Sequence, residues 1–403
     1  MNLFLIGNGF DLAHDLPTKY ENFLHTISFL INSYTSDMTT VGSIFGNNQL
    51  HVVDDWICNC YKRYGSGWNQ VALNTTEING IINKAKGNMW FTYLSEAFDR
   101  DIGWIDFEKE ISYVIDSFAD FLAVNTRRSF AMELNIEDDG IRHVISRFSY
   151  FHDHEESSFS SCPSYEGFGF SHVSLYDNRK VRDRYCTEYP KGSGIWIINK
   201  EAVIGELYHA LEELSFLLKE YLRIFVEQPL DILLREKLLH ANPQLQNENR
   251  IISFNYTSVP EIVYGVQNVI HIHGTLSDKI VLGVNPNKDD DLQTVNTTFL
   301  QFKKYYQRVY FGTDIGYLRF MEHAEKTKRG AGDYILTVVG HSLDVTDRDI
   351  IMEIFSLPNE IHILYHDEKA IGRYIKNLVT IYGKEGFDRL RSERKLRFMP
   401  LTT

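Results

Sequence analysis

The sequence predicts an α/β fold built on a parallel sheet covered on both faces, and three observations predict it. Short apolar runs bounded by Gly, Asn or Asp suggest strands buried on two faces. Helix-period segments alternate with the later runs. The first run is separated from the rest by a long aromatic-rich stretch of different character. At 403 residues, with 43% hydrophobic and 24% charged residues, the chain carries enough apolar material for a large core, which excludes disorder as its main state.

The predicted strands are Leu3 to Ile6, Ile251 to Phe254, Val269 to Ile272, Ile280 to Val284, Ile335 to Val339 and Ile361 to Tyr365. Thr346 to Phe355 and Glu368 to Tyr382 read as the helices that cover them. From about Lys19 to Leu239 the pattern is helical instead, with apolar residues at three- and four-residue steps in Tyr20 to Tyr34, Ile78 to Asp99, Phe107 to Val124 and Glu201 to Glu227. Residues 155–194, crowded with Ser, Gly, Tyr and charges, show no period and read as a long loop or irregular hairpins. The architecture expected is a discontinuous Rossmann-like parallel sheet from residues 1–18 and 245–403, with a large α-helical insertion over 19–244.

Composition narrows the function. With 41 Lys plus Arg against 54 Asp plus Glu, the net charge of −13 opposes non-specific binding of nucleic acid by the whole surface. The basic tail, Arg389 to Arg397, reads as a solvated face. No basic leader precedes Leu3, and no stretch reaches the ~18 apolar residues of a membrane span, so a soluble cytoplasmic chain is expected. Four scattered cysteines, Cys58, Cys60, Cys162 and Cys186, suit a reducing compartment and packing roles, not a disulfide framework.

Four clusters carry the chemistry. Leu3 to Asp11 is a strand running into Gly7-Asn8-Gly9, a turn whose glycines allow a close backbone approach to a phosphate. The third glycine of the dinucleotide fingerprint is replaced by Leu12, and a tight strand-to-helix turn with Asp11 as N-cap reads equally well. Ser253-Phe254-Asn255-Tyr256-Thr257 ends a strand in a carboxamide able to donate and accept, suited to a ribose hydroxyl, a positioned water or a turn cap. In His271-Ile272-His273-Gly274 two imidazoles fall on one side of a strand, but no further ligand at metal spacing follows, and no metal is expected. His273, followed by glycine, reads as a general base, while His271 also fits a satisfied core histidine. Gly340-His341-Ser342-Leu343 is a second strand-to-helix turn, with Asp344 and Asp347 as helix-start acids. The run His152 to Glu156 reads as a solvated loop.

Together, Ile6 to Thr18, Trp104-Ile105-Asp106-Phe107-Glu108, Ser253 to Thr257, His271 to Thr275 and Gly340 to Leu343 closely resemble the bacterial AbiH abortive-infection family, over nearly the whole chain. That family in turn is similar to SIR2-like (sirtuin-like) NAD-binding proteins. The resemblance implies an anti-phage NAD+ glycohydrolase releasing nicotinamide and ADP-ribose, with NAD as substrate. It makes Gly7 and Gly9 the phosphate loop, Asn255 the ribose or water contact, His273 the base, and Gly340 with Ser342 the cofactor-side turn. Asn8, Phe10, Gly283 and His341 complete the implied cofactor set, and Asp11 would stabilise the ribosyl cation. The chain lacks the four-cysteine zinc module of deacetylating sirtuins and has Thr257 in place of their acid, which argues against protein deacetylation.

Two other functions fit the same residues. One is a non-hydrolytic sensor of NAD, ADP-ribose or a related nucleotide. The other is a metal-dependent nuclease using His271 and His273. Homo-oligomerisation and a phage-derived trigger are expected of an abortive-infection protein, and the helical insertion is a place for either.

Overall fold

The computed structural model describes residues 2–100, 106–124, 128–129, 186–188, 191–192, 195–235, 250–285, 297–328, 335–393 and 396–401. The chain divides into two compact units. The first comprises Met1–Ile82, Ser215–Asp289 and Phe302–Thr403, and the second Asn83–Leu214 and Asp290–Gln301.

The first unit is an α/β fold around six strands: β1 (Asn2–Ile6), β2 (Arg250–Ser253), β3 (Asn268–His271), β4 (Ile335–Val339), β5 (Glu360–Tyr365) and β6 (Arg397–Pro400). They lie in the order β3-β2-β1-β4-β5-β6, every neighbouring pair parallel. The order reverses at β1, so the crevice beyond the carboxyl ends of β1 and β4 is the topological switch point, where ligands of open α/β sheets sit. The apolar run Leu3 to Ile6 has its physical reason here. As the strand next to that reversal it is buried on both faces, with no residue of the four more than 2% exposed.

Leu3, Leu5, Leu336, Val338, Ile361 and Ile363 point into one hydrophobic core with Ile351, Ile354, Leu378 and Ile381 of the helices Arg348–Ile354 and Glu368–Glu393. Each such burial contributes roughly 1.5–3 kcal/mol. The latter helix breaks at Gly383, whose φ of +70° no α-helix accommodates, close to the expected end at Tyr382. Helix Val259–Tyr264 starts on Pro260 and stops at the left-handed Gly265.

Three expectations are corrected. Ile280 to Val284 is buried irregular chain with one isolated bridge, Val284 to Lys303, because its other backbone groups pair with a distant loop carbonyl and with side chains: Val281 N–H with the His273 carbonyl, and the Val281 and Leu282 carbonyls with Tyr256 and Gln307. The stretch Ile78 to Asp99 is two helices, Thr75–Lys86 and Met89–Arg100. Asn88 interrupts it by accepting from Phe91 N–H at 2.8 Å, as an N-cap does. Glu201 to Glu227 divides into the helix Lys200–Tyr221 and a π-helical turn, Leu222–Glu227, after which Gln228–Arg235 resumes α geometry.

The second unit is helical, with a three-stranded antiparallel sheet in the order Arg128–Ser129, Ile195–Ile198, Cys186–Glu188. Its packing is anchored by buried donors: Trp90 Nε1 reaches the Leu207 carbonyl at 2.9 Å and Asn88 Nδ2 the Ala210 carbonyl at 2.7 Å. Asp106 accepts from the N–H groups of Glu108 and Lys109 and starts the helix Phe107–Val124. Trp104, the run His152 to Glu156, most of 155–194, Cys162, Arg394 and Lys395 lie outside the described residues. No helix among the described residues is long and apolar enough to cross a membrane.

Candidate functional site at the switch point

The site is built by four strand ends within the first unit. Beyond β1, Gly7 is extended (φ −138°) and starts the short helix Asn8–Leu12, with no side chain capping it. Beyond β4, Gly340 turns at φ +67°. These two turns close on one another. Gly9 N–H donates to the Gly340 carbonyl at 2.8 Å. A Cβ on Gly340 would lie 2.1 Å from Phe10 N, one on Gly9 2.8 Å from Gly340 Cα, and one on Gly7 2.8 Å from His341 Cα. The glycines are required because two backbones touch, whatever else approaches them. Asn8 and Ser342 are exposed at the rim, whereas the Phe10 ring is buried between His14 and Tyr264, with centroids 4.8 and 5.9 Å away. At Gly283 the missing side chain makes room for the Phe302 carbonyl, 2.4 Å from an added Cβ.

Beyond β2, Asn255 binds the β1 turn. Its Nδ2 donates to Asp11 Oδ1 at 2.8 Å and to the Gly7 carbonyl at 3.1 Å, and Thr257 Oγ1 donates to Asp11 Oδ2 at 2.5 Å. Since a carbonyl only accepts, the orientation of the carboxamide is fixed. Its donors are spent and its oxygen remains as acceptor. Asp11 is therefore not the helix N-cap but a buried carboxyl, 1% exposed. Burial pushes its pKa up to about 7, against the opposing hydrogen bonds from Thr257 and Asn255. An acid poised near neutrality in a polar cluster is a marker of functional sites.

The two histidines at the end of β3, His271 in its last position and His273 just beyond, do not form a pair. His271 donates through Nδ1 to the Asn255 carbonyl at 2.9 Å and through Nε2 to Glu261 at 2.7 Å, and so braces the β2 end. Burial opposes its charge, but Glu261 outweighs burial and holds its pKa above the ordinary value. His273 turns instead to the β4 side. Its ring meets Phe254 edge-on at 5.3 Å, and Phe254 in turn meets His341 at 4.3 Å. Its Nε2 lies 3.4 Å from Asp347 Oδ1, outside hydrogen-bond geometry. Burial, reinforced by the Lys304 ammonium, lowers the His273 pKa to about 4, so the ring is neutral at physiological pH.

Asp347, read from the sequence as a helix-start acid, is a convergence point. Lys304 Nζ reaches its Oδ1 at 2.8 Å, and His341 Nε2 lies 3.5 Å from Oδ2. Burial alone would raise its pKa, but Lys304 and the two imidazoles hold it well below the carboxylate range.

Gly7, Gly9, Asp11, Asn255, His273, Gly340 and His341 thus belong to one contiguous cluster at the carboxyl end of the sheet. Gly283 stands next to Val284, whose carbonyl accepts from the Lys304 N–H at 2.8 Å. Sequence reasoning missed Thr257 as a partner of Asp11, and missed Lys304 and Asp347 as an ion pair. The one signal for Lys304 was the spacing of Lys304, Gln307 and Arg308 on one helix face, which a solvated face shares. Among the described residues no group of three His, Cys, Asp or Glu side chains is arranged to hold a metal.

The fold and site define a doubly wound parallel α/β protein with its polar cluster at the switch point. The family model of bacteriophage abortive infection AbiH matches residues 3–366, which includes every strand of the sheet but β6. The chain belongs to the AbiH family, and with it to anti-phage abortive infection. No curated protein and no solved structure matches it.

Proposed function

We propose that the switch-point cluster hydrolyses NAD+ to nicotinamide and ADP-ribose, in a SIR2-like manner. The observation that carries the reading is the Asn255 carboxamide: fixed by Asp11 and Gly7, it is left with only an acceptor to offer at the mouth of a β3-β2-β1-β4-β5-β6 sheet.

In this reaction the bond between nicotinamide nitrogen and the ribosyl carbon breaks, the electron pair leaves with nicotinamide, and a water oxygen bonds to the same carbon. Nicotinamide is a good leaving group, so the protein has mainly to hold the ribose and orient the water. Asn255 Oδ1 accepts a hydrogen bond from that water or from a ribose hydroxyl. His273, neutral because it is buried, accepts the proton the water releases. Asp11 keeps Asn255 in place and, when ionised, favours the positive charge that develops on the ribosyl carbon.

The test is nicotinamide release from NAD+ by the full chain. His273→Ala and Asn255→Ala are each expected to lower turnover by about 10²-fold or more with the fold intact by circular dichroism. Turnover undiminished in His273→Ala ends the assignment. A second reading, a sensor that binds the nucleotide without cleaving it, is favoured by the burial of His273 at 5% exposed. Saturable NAD+ binding by wild type without any nicotinamide release selects it.

A further inference from the structure

We propose that Lys304 and Asp347 are positioning residues of this site: their buried ion pair is the fixed point that holds the imidazoles of His273 and His341 against the ends of β1 and β4. The inference rests on the reading of His273 as the base, but its geometry stands apart from the reaction.

Four separate segments contribute. His273 follows β3, Lys304 opens the helix Lys304–Phe311, His341 follows β4, and Asp347 precedes the helix Arg348–Ile354. Lys304 is 1% exposed and Asp347 7%. A charge so deeply buried is costly unless paired, and at 2.8 Å each is the other's partner. Apolar residues of similar volume are often as stable in such a place, so fold stability alone does not call for the pair.

What the pair offers is a carboxylate that cannot move. The Leu343 N–H donates to His341 Nδ1 at 2.9 Å, which leaves the ring hydrogen on Nε2, the nitrogen 3.5 Å from Asp347 Oδ2. His273 presents its own Nε2 to the other oxygen at 3.4 Å, and that nitrogen is buried with no hydrogen-bond partner. A small inward shift of the ring completes the bond, commits Nε2 as donor and leaves Nδ1 as the basic nitrogen. This is how a buried carboxylate selects the tautomer of a neighbouring imidazole. The groups that face His273 are Lys304 and Arg308 from one helix, Asp347 and His341 from the β4 side, and the Phe254 and Tyr256 rings from the β2 end.

The experiment is histidine-selective NMR of the full chain, with the His273 signal assigned through His273→Asn, run beside nicotinamide release. Lys304→Met removes the ammonium that disfavours charge on His273, and the His273 titration midpoint is expected to move up toward the ordinary imidazole range. Lys304→Met with Asp347→Asn removes both charges together and keeps the fold if the single variant does not. In that double variant the His273 ring signal is expected to lose its fixed tautomer, whereas His341, whose Nδ1 still accepts from the Leu343 N–H, is expected to keep its own and only shift. Its kcat should fall by about 10²-fold while KM stays near wild type. An unchanged His273 signal in the folded double variant overturns the inference. Wild type that releases no nicotinamide overturns the hydrolase reading instead, and the NMR outcome then decides the positioning role alone.

Discussion

Asp11 and Asn255, 244 residues apart along the chain, meet at 2.8 Å inside the fold, carboxylate oxygen to carboxamide nitrogen. The contact ties the turn after β1 to the end of β2 and makes the protonation of one residue depend on the chemistry of the other. Asn255→Asp would set a second carboxyl against Asp11, and two carboxyls so close do not both ionise. The variant is expected to melt near wild type at pH 5 and to lose stability steeply as the pH rises through 7. Melting temperatures across pH 5 to 8.5 check this, and a pH-independent deficit contradicts it.

Asp11 and His273 bias the pH dependence of stability in opposite senses. The Asp11 pKa is raised from 3.8 to about 7, so its contribution is fully present below about pH 4 and is lost as the pH rises to about 7. The His273 pKa is lowered from 6.5 to about 4, so its contribution is present above about pH 6.5 and is lost as the pH falls to about 4. Between pH 4 and 6.5 the two offset one another. Relative to wild type, Asp11→Asn should therefore gain stability with rising pH in that window, and His273→Asn should lose it. Urea titrations at half-unit steps measure both, and parallel curves for the three proteins would falsify the assignment.

The contact of Gly9 with Gly340 gives a third prediction. Gly340→Ala demands a left-handed alanine and a Cβ 2.1 Å from Phe10 N, so the β1 and β4 turns must separate. A loss of about 3 kcal/mol or more, or failure to fold, is expected. Gly372→Ala is the control, since nothing lies within 4 Å of its added Cβ in the helix Glu368–Glu393. It should be neutral or stabilising by about 0.5–1 kcal/mol in urea unfolding.

His271 is expected to act on structure rather than chemistry. His271→Phe keeps the ring but leaves the Asn255 carbonyl and Glu261 without their donor, at a cost of about 1–3 kcal/mol in urea unfolding. Glu261→Gln retains an acceptor and should lose less. A His271→Phe protein as stable as wild type would show that the brace is dispensable.

The sequence made the strands legible and their neighbours not. Leu3 to Ile6 stands out because a strand buried on two faces is almost wholly apolar, and its ending in Gly7 marks the turn. Arg397–Pro400, the edge strand β6, is half-exposed and charged, so it lacks that signature. Ile280 to Val284 is as apolar as any strand, but its backbone finds partners in a loop carbonyl and in the side chains of Tyr256 and Gln307, and only the surrounding chain decides that. The site divides in the same way. Asp11, Asn255 and His273 are conspicuous as polar residues at strand ends. Lys304 is not, because a lysine in the first turn of a helix normally reaches solvent, and only the arrival of Asp347 43 residues later explains its burial. Residue types were visible locally, whereas partners at long sequence separation were set by the order of the sheet.

The π-helical turn Leu222–Glu227 delivers Glu227 to the N–H of Ser258 at 2.9 Å, next to the end of β2. A π turn is an α-helix with one residue too many, inserted where a side chain must be re-aimed. Deleting a single residue from 222–226 would restore ordinary α winding across the turn and undo the re-aiming of the side chains within it. Glu227 would then leave Ser258, and a negative charge would be withdrawn from the neighbourhood of Asp11 and His271. One surplus residue in a helix remote in sequence from the glycine turn thereby sets a charge that adds, after burial, to the raised pKa of Asp11.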